Sequence, residues 1–234
     1  RLGLDRCDIK HIYNNDIWSH EDFYKTILYD VKDGNKILDA GAGEGKLKNI
    51  FSSKNIEYCG IDFGVGCDSW DYSDVIHGDL EDLHFIDNNE FDSILLIQVL
   101  EHLKNPRVVL KELNRVLKNN GKIYIAVPQL QGVHQVPYDY FRFTPYGLTM
   151  LLEESGFKVE SINPQLYGDM QAASRNFQWA VDYYRDNTTK VTRKVLLFIF
   201  NLLNRLIFKL AGVLDKDIDK YLNPIGYFVV ARKI

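Results

Sequence analysis

Between Lys36 and Leu47 the chain runs Lys-Ile-Leu-Asp-Ala-Gly-Ala-Gly-Glu-Gly-Lys-Leu, and few folds accommodate that order. An apolar, β-prone stretch ends at Asp39, glycines alternate at Gly41, Gly43 and Gly45, and a helical pattern begins at Lys46, which reads as strand, tight turn and helix N-terminus. Such a turn needs glycines because a side chain would keep a ligand from the backbone N–H groups and because other residues resist the required dihedrals. The arrangement suits a nucleotide-type ligand.

The chain around this turn alternates strands and helices. Ser19 is a plausible N-cap for a preceding helix, and residues 1–35, with Trp18, Phe23, Ile27 and Leu28, read as a helical cover over the site. A short helix over Lys46–Lys54 leads to a second strand, Ile56–Asp62, and Asp74–His77 is a short third strand. Phe91–Val99 is a near-continuous apolar run, as expected of a parallel strand covered on both faces. A helix over Pro106–Lys118, with Gly121 after its end, precedes a fifth strand, Lys122–Val127. Thr144-Pro145 opens another helix, Gly156 closes it, and Phe157–Ile162 is a sixth strand. Residues 223–232 return as the last strand. The pattern predicts an α/β fold: a doubly wound, Rossmann-like, mostly parallel seven-stranded sheet built from residues 36–164 and 221–234, with residues 165–220 as a helical insertion before the last strand.

Composition narrows the class. With 234 residues, one α/β domain with a modest insertion is the expected size. A net charge of −4 and a pI near 5.9 give no global basic field, so nucleic acid is not the expected partner. Cys7, Cys59 and Cys67 are odd in number and lack metal-ligand spacing, which favours a reducing, cytoplasmic setting and buried thiols over a disulfide framework. No signal or transit peptide is read at the Arg-Leu-Gly-Leu opening.

The local charges bear on the ligand. A pyrophosphate at this turn would face Asp39 and Glu44 with only Lys46 close in sequence, whereas acids favour a ligand carrying an ammonium and a sulfonium. Asp62, at the end of the second strand and about twenty residues past the first glycine, is placed to take both hydroxyls of a ribose. The spacing is Gly-x-Gly-x-Gly, not the Gly-x-Gly-x-x-Gly of dinucleotide enzymes.

Taken in order, Ile37–Gly45, Cys59–Asp62, Gly78-Asp79-Leu80, Phe91-Asp92, Gln98-Val-Leu-Glu-His102 and Leu113-x-Arg115-Val-Leu-Lys-x-x-Gly121 resemble the motifs of class I S-adenosylmethionine-dependent methyltransferases. The resemblance covers residues 36–128 and, more loosely, 129–163 and 223–233. It implies S-adenosyl-L-methionine as cofactor. Asp39, Gly41, Ala42, Gly43 and Gly45 would line the methionine side, Asp62 with Phe63 the ribose, Asp79 with Leu80 the adenine, and Gln98 the methyl-donor end. Ala42 and Glu44 depart from the family, which often has Cys and a small hydroxyl residue there. The segment His134–Pro145 and the terminal Gly226–Lys233 look like a bacterial branch associated with cell-surface glycan and other small-molecule biosynthesis.

Methyl transfer to an alcohol also needs a base. His102 leaves the fourth strand and His134 follows the fifth, two positions that converge in this fold, and both are candidates; a structural hydrogen bond for His102 and a surface place for His134 are the competing readings. Tyr138, Asp139, Tyr140 and Arg142 are candidate acceptor-binding residues, with loop packing as their alternative. His11, His20, His77 and His84 show no ligand spacing, and no metal is expected. Base methylation of nucleic acid is disfavoured, since the Asn/Asp-Pro-Pro-aromatic turn of such enzymes is replaced by Gln98-Val-Leu-Glu.

The expected function is therefore transfer of a methyl group from S-adenosylmethionine to a small-molecule or glycan-precursor acceptor, at oxygen in preference to nitrogen. The rival readings are a non-catalytic cofactor-binding interaction protein and an NAD-dependent oxidoreductase. In the insertion, residues 190–214 combine a wide apolar face with Lys190, Lys194, Arg205 and Lys209. Burial in the domain or in a homodimer is the first reading of that segment, and peripheral membrane contact the second.

Overall fold

The computed structural model describes residues 19–64, 71–73, 75–165, 169–215 and 224–234. Cys7, His11, Trp18, Cys67 and Asp74, which entered the reading above, lie outside them.

Helix α1 (His20–Asp30) starts at the expected cap. The Asp22 amide donates to the Ser19 hydroxyl, and the Ser19 amide donates to the Asp22 carboxylate at 2.9 Å, which satisfies two groups that a helix start leaves over. Seven strands follow: β1 (Lys36–Ala40), β2 (Glu57–Asp62), β3 (Ile76–His77), β4 (Phe91–Ile97), β5 (Leu117–Pro128), β6 (Phe157–Pro164) and β7 (Gly226–Lys233). They form one sheet in the order β3-β2-β1-β4-β5-β7-β6. All pairings are parallel except those of β7, which runs antiparallel to both β5 and β6. The chain moves outward from β1 to β3 and then resumes at β4 on the other side of β1. That reversal leaves a crevice at the carboxyl ends of β1 and β4, where such sheets bind ligands.

The sheet is covered on both faces, which explains the unbroken apolar run of β4. Ile94 and Leu96, with Ile123 and Ile125 of β5, pack under helices α2 (Pro106–Val116) and α3 (Pro145–Glu154) through Val109, Leu110, Leu113, Leu148 and Leu152. Leu95 and Tyr124 point the other way, to Phe23 and Ile27 of α1 and to Phe228. Successive side chains of one strand thus serve two layers, and none can be polar without a partner.

Some boundaries differ from the expectation. The segment from Lys46 is a single 3₁₀ stretch ending at Phe51, and the third strand is confined to Ile76–His77 among the described residues. Helix α2 stops at Val116, two residues early, because Leu117 already pairs with Phe91 in the sheet; β5 then runs through Gly121, the glycine expected to close the helix. A Cβ on Gly121 would lie 2.7 Å from Leu117 Cδ1 and 2.8 and 2.9 Å from the Lys118 and Asp92 carbonyl oxygens, so crowding by its own strand and by β4 explains this glycine.

The larger correction concerns the insertion. Between β6 and β7, α4 (Asp169–Asp186) and α5 (Val191–Leu214) form a hairpin. The reading that α5 buries itself in the domain fails: of its residues only Asn204 and Ala211 are buried, while Val195, Phe198, Leu202, Leu206 and Leu210 are exposed. The reason is a polar clasp. Asn204 Nδ2 donates to the Ser174 carbonyl and to Gln178 Oε1, both at 3.0 Å, and the Ser174 hydroxyl donates to Asn204 Oδ1 at 2.7 Å. Pinning Asn204 against α4 turns the wide apolar arc of α5 outward.

Candidate active site

The glycine turn follows β1, and three of its residues have left-handed backbone angles: Gly41 (φ 81°), Gly43 (φ 54°) and Gly45 (φ 70°). Gly41 is also hemmed in, since a Cβ there would lie 2.3 Å from Val99 Cγ2. No larger residue fits without moving the exit of β4. The amides of Gly41 and Ala42 donate to the Ile61 carbonyl, so the turn is folded back on β2.

The acids gather at the same edge. Asp62 Oδ2 accepts the Gly43 amide at 2.8 Å and Oδ1 accepts the Gly64 amide at 2.7 Å, which fixes the carboxylate at the end of β2 and leaves lone pairs for hydroxyls. Phe63 next to it is half exposed, its ring 5.9 Å from that of His77. Asp79 accepts the Glu81 amide in a local turn, and Leu80 is buried in the core beside it. Asp39 is 1% exposed and takes the Tyr58 hydroxyl as a donor. Burial, with a smaller contribution from the Asp62 charge, pushes its pKa up to about 6, against the pull of the Tyr58 bond. A buried acid facing a second acid is a site short of positive charge. Lys46, the basic residue at the end of the turn, does not supply it, because it is ion-paired with Glu44. This donor set fits a cationic ligand with ribose hydroxyls, as S-adenosylmethionine is, and fits a pyrophosphate poorly.

Gln98 leaves β4 with φ 56°, a left-handed angle that costs a non-glycine residue about 1–2 kcal/mol; its amide donates to the Ala126 carbonyl at 2.8 Å. This bend sends the next residues across the crevice. Val99 wedges against Gly41, and a short 3₁₀ turn, Leu100–His102, presents Glu101 and His102.

His102 and His134 come together, their rings edge to face with centroids 4.8 Å apart. His102 Nδ1 lies 2.6 Å from the Tyr138 carbonyl and can only donate there, so Nε2 carries the lone pair. Burial lowers the His102 pKa, and the Tyr138 carbonyl works against that. His134 turns Nδ1 toward the Gly132 carbonyl (3.2 Å) and Asp139 Oδ2 (3.4 Å).

The four candidate acceptor residues divide. Asp139 and Arg142 are joined by paired bonds of 2.6 and 2.8 Å, and Arg142 also reaches the Gln131, Gly132 and Phe141 carbonyls. The guanidinium holds the Asp139 carboxyl well below the usual range. This pair braces the segment after β5. Tyr138 and Tyr140 remain exposed at the rim.

Glu101 is the residue that the sequence reading passed over as a site group. It is fully buried, and neither carboxylate oxygen has a hydrogen-bond partner; the same holds for His102 Nε2, 3.7 Å from Glu101 Oε1. Burial raises the Glu101 pKa to about 7. Its backbone carbonyl accepts the Tyr140 and Phe141 amides, which stitches the later segment over the 3₁₀ turn. Glu101, His102 and His134, none of them among the histidines read above as lacking ligand spacing, offer ligand atoms all within 4.8 Å of one another. The signal in the sequence was a charged residue set between Leu100 and Leu103 in an otherwise apolar corner.

Comparison with known proteins agrees with the geometry of the donor side. A family described as "Methyltransferase domain" matches residues 38–125. The demethylmenaquinone methyltransferase of Paenarthrobacter aurescens is 33% identical over 102 residues, 42% of this chain and 40% of that protein. A probable S-adenosylmethionine-dependent methyltransferase of Mycolicibacterium smegmatis is 27% identical over 157 residues, 60% of this chain and 58% of that one. The chain thus spans less than two thirds of the length of these curated relatives. Among solved structures, the cyclase SpnF superposes with a TM-score of 0.57 at 16% identity, covering 95% of this chain and 86% of that one, a likeness of fold alone. Over residues 38–125 the chain is thus similar to methyltransferase domains, S-adenosylmethionine-dependent ones among them.

Proposed function

We propose that this protein transfers a methyl group from S-adenosylmethionine to a hydroxyl of a small-molecule or glycan-precursor acceptor at a membrane surface. The observation that carries the transfer is the convergence, across one crevice, of an acid-lined glycine turn with a pair of imidazoles. The cofactor supplies an electrophilic methyl on a sulfonium. Asp39 and Asp62 hold its charged and ribose ends, and the bend at Gln98 carries the chain across to the acceptor side. Alignment and exclusion of water then provide most of the rate, as in any in-line displacement. A neutral His102, its Nδ1 engaged by Tyr138, keeps a lone pair on Nε2, buried 3.7 Å from Glu101 Oε1, with the more exposed His134 packed against it; this pair is our candidate proton acceptor.

The membrane part rests on the inside-out hairpin. Among the described residues, α5 is the one helix long and apolar enough to cross a bilayer, and its polar side chain Asn204 faces α4 while its apolar arc faces out. Exposed Arg193, Lys194, Arg205 and Lys209 along it suit a helix lying in the interface of an anionic membrane better than one passing through. The demethylmenaquinone methyltransferase relatives fit an apolar acceptor by name.

Calorimetry with S-adenosylhomocysteine tests the donor site: binding is expected, and its absence would overturn the reading. Transfer of a labelled methyl group to glycan, lipid and aromatic acceptors, presented with and without anionic liposomes, tests the rest. Label recovered on nitrogen or carbon would overturn the oxygen assignment. Absence of the intact protein from floated liposomes would overturn the membrane assignment.

A further inference from the structure

We propose that Glu101, His102 and His134 form a binding site for one divalent first-row cation on the acceptor side of the crevice. Three buried atoms there lack any hydrogen-bond partner, namely both Glu101 carboxylate oxygens and His102 Nε2. All are electron-pair donors, and Glu101 is completely inaccessible. An unpaired buried carboxylate is costly, and one shared electron-pair acceptor relieves all three atoms at once. His134 completes the group, with donor atoms of the three residues within 4.8 Å of one another. Each has to close by less than about 1 Å to reach metal–ligand bonds of about 2.0–2.2 Å.

The surroundings are those of a built site. Each histidine has Nδ1 directed at a carbonyl, His102 at Tyr138 and His134 at Gly132, which leaves Nε2 of both for a ligand. Asp139 stands 3.4 Å from His134 Nδ1 and also accepts the His134 amide at 2.9 Å, and it is held by Arg142 from behind. Two imidazoles and one carboxylate select zinc, manganese, iron or cobalt over magnesium or calcium, which prefer all-oxygen ligands. Three protein ligands leave coordination positions open.

What the cation does there rests on the methyltransferase reading. With the cation bound, His102 Nε2 is a ligand and no longer the base, and an acceptor hydroxyl bound at an open position loses its proton to water more readily. The oxygen lone pair then forms the bond to the methyl carbon as the carbon–sulfur bond breaks and its electron pair stays on sulfur. The acceptors best suited carry a second oxygen beside the reacting one, so that both can reach the cation.

The test uses the full chain, stripped of metal with a chelator. Titration with Co²⁺ is expected to give one equivalent with visible ligand-field bands. Partners of metal-bound histidines alone are worth about 10–100-fold in affinity, so Glu101→Gln and His134→Ala should each weaken Co²⁺ binding by at least about 100-fold while S-adenosylhomocysteine still binds. Where Glu101→Gln fails to fold, His134→Ala, on the partly exposed segment after β5, decides. No Co²⁺ binding by folded wild-type protein, or unchanged binding in the variants, overturns the proposal. If Co²⁺ binds as expected and S-adenosylhomocysteine does not, the cation site stands and the methyltransferase reading falls.

Discussion

The carboxyl edge of the sheet and the α4–α5 hairpin use the same kinds of residues in opposite places. In β4 the run Ile94–Ile97 is sealed between two helical layers, and polar groups flank it, Asp92 and Ser93 before it and Gln98 and Glu101 after it. In α5 the polar group is sealed, at Asn204, and the leucines, phenylalanines and isoleucines face outward. Apolar content alone therefore does not say where a segment lies. What decides is whether the neighbouring element offers an apolar face or a polar clasp.

The most severe way to break that comparison lies at the sealed edge. Gly41→Ala forces a Cβ into Val99 at a left-handed backbone position. Overpacking and backbone strain together should cost about 2–5 kcal/mol in chemical denaturation, and S-adenosylhomocysteine binding should be lost in calorimetry. Donor binding that survives this change would remove the glycine turn from the site.

Asp39→Asn should separate stability from binding. A carboxyl whose pKa is raised in the folded state holds its proton more tightly than in the unfolded chain. Stability is therefore fully present below the usual carboxylate range near 3.9 and is lost as pH rises through about 6. At pH 7 the ligand-free variant should be more stable than the wild type by up to about 3 kcal/mol, and its stability should no longer carry that fall between pH 4 and 6. Its affinity for S-adenosylhomocysteine, which carries the same ammonium, should drop. A variant that gains affinity would show that Asp39 does not face the donor.

The hairpin calls for smaller changes. Asn204→Ala removes the clasp and leaves Ser174 and Gln178 without it, a loss of about 1–3 kcal/mol by thermal or chemical unfolding. Leu206→Glu, in contrast, alters an exposed position and should shift stability by no more than about 0.5 kcal/mol while reducing recovery with anionic liposomes. A large loss of stability from Leu206→Glu would mean that the apolar arc is covered by a second copy of the chain.

Much of this organisation is legible along the chain because it rests on local rules. The Ser19 cap, the strand–glycine–helix turn, the acid at the end of β2 and the doubly covered run of β4 each follow from a few neighbouring residues. The misses are long-range. Helix α2 ends early because Leu117 finds Phe91, and Asp139 and Arg142, both plausible acceptor contacts on paper, are joined to each other. Glu101 escaped notice because a charged residue beside Leu100 is a weak sign by itself, and its significance rests on unmet hydrogen bonds that only the fold reveals.

The amino-acid order by itself determined the sheet, the site of the glycine turn and the cationic character of the ligand that its acids favour, since strand period, glycine dihedrals and charge are properties of adjacent residues. Only the tertiary structure decided that His102 and His134 meet over a buried Glu101, and that α5 turns its leucines outward. Both outcomes depend on which surfaces distant segments bring together, and burial and hydrogen-bond satisfaction are settled only when those segments are in place.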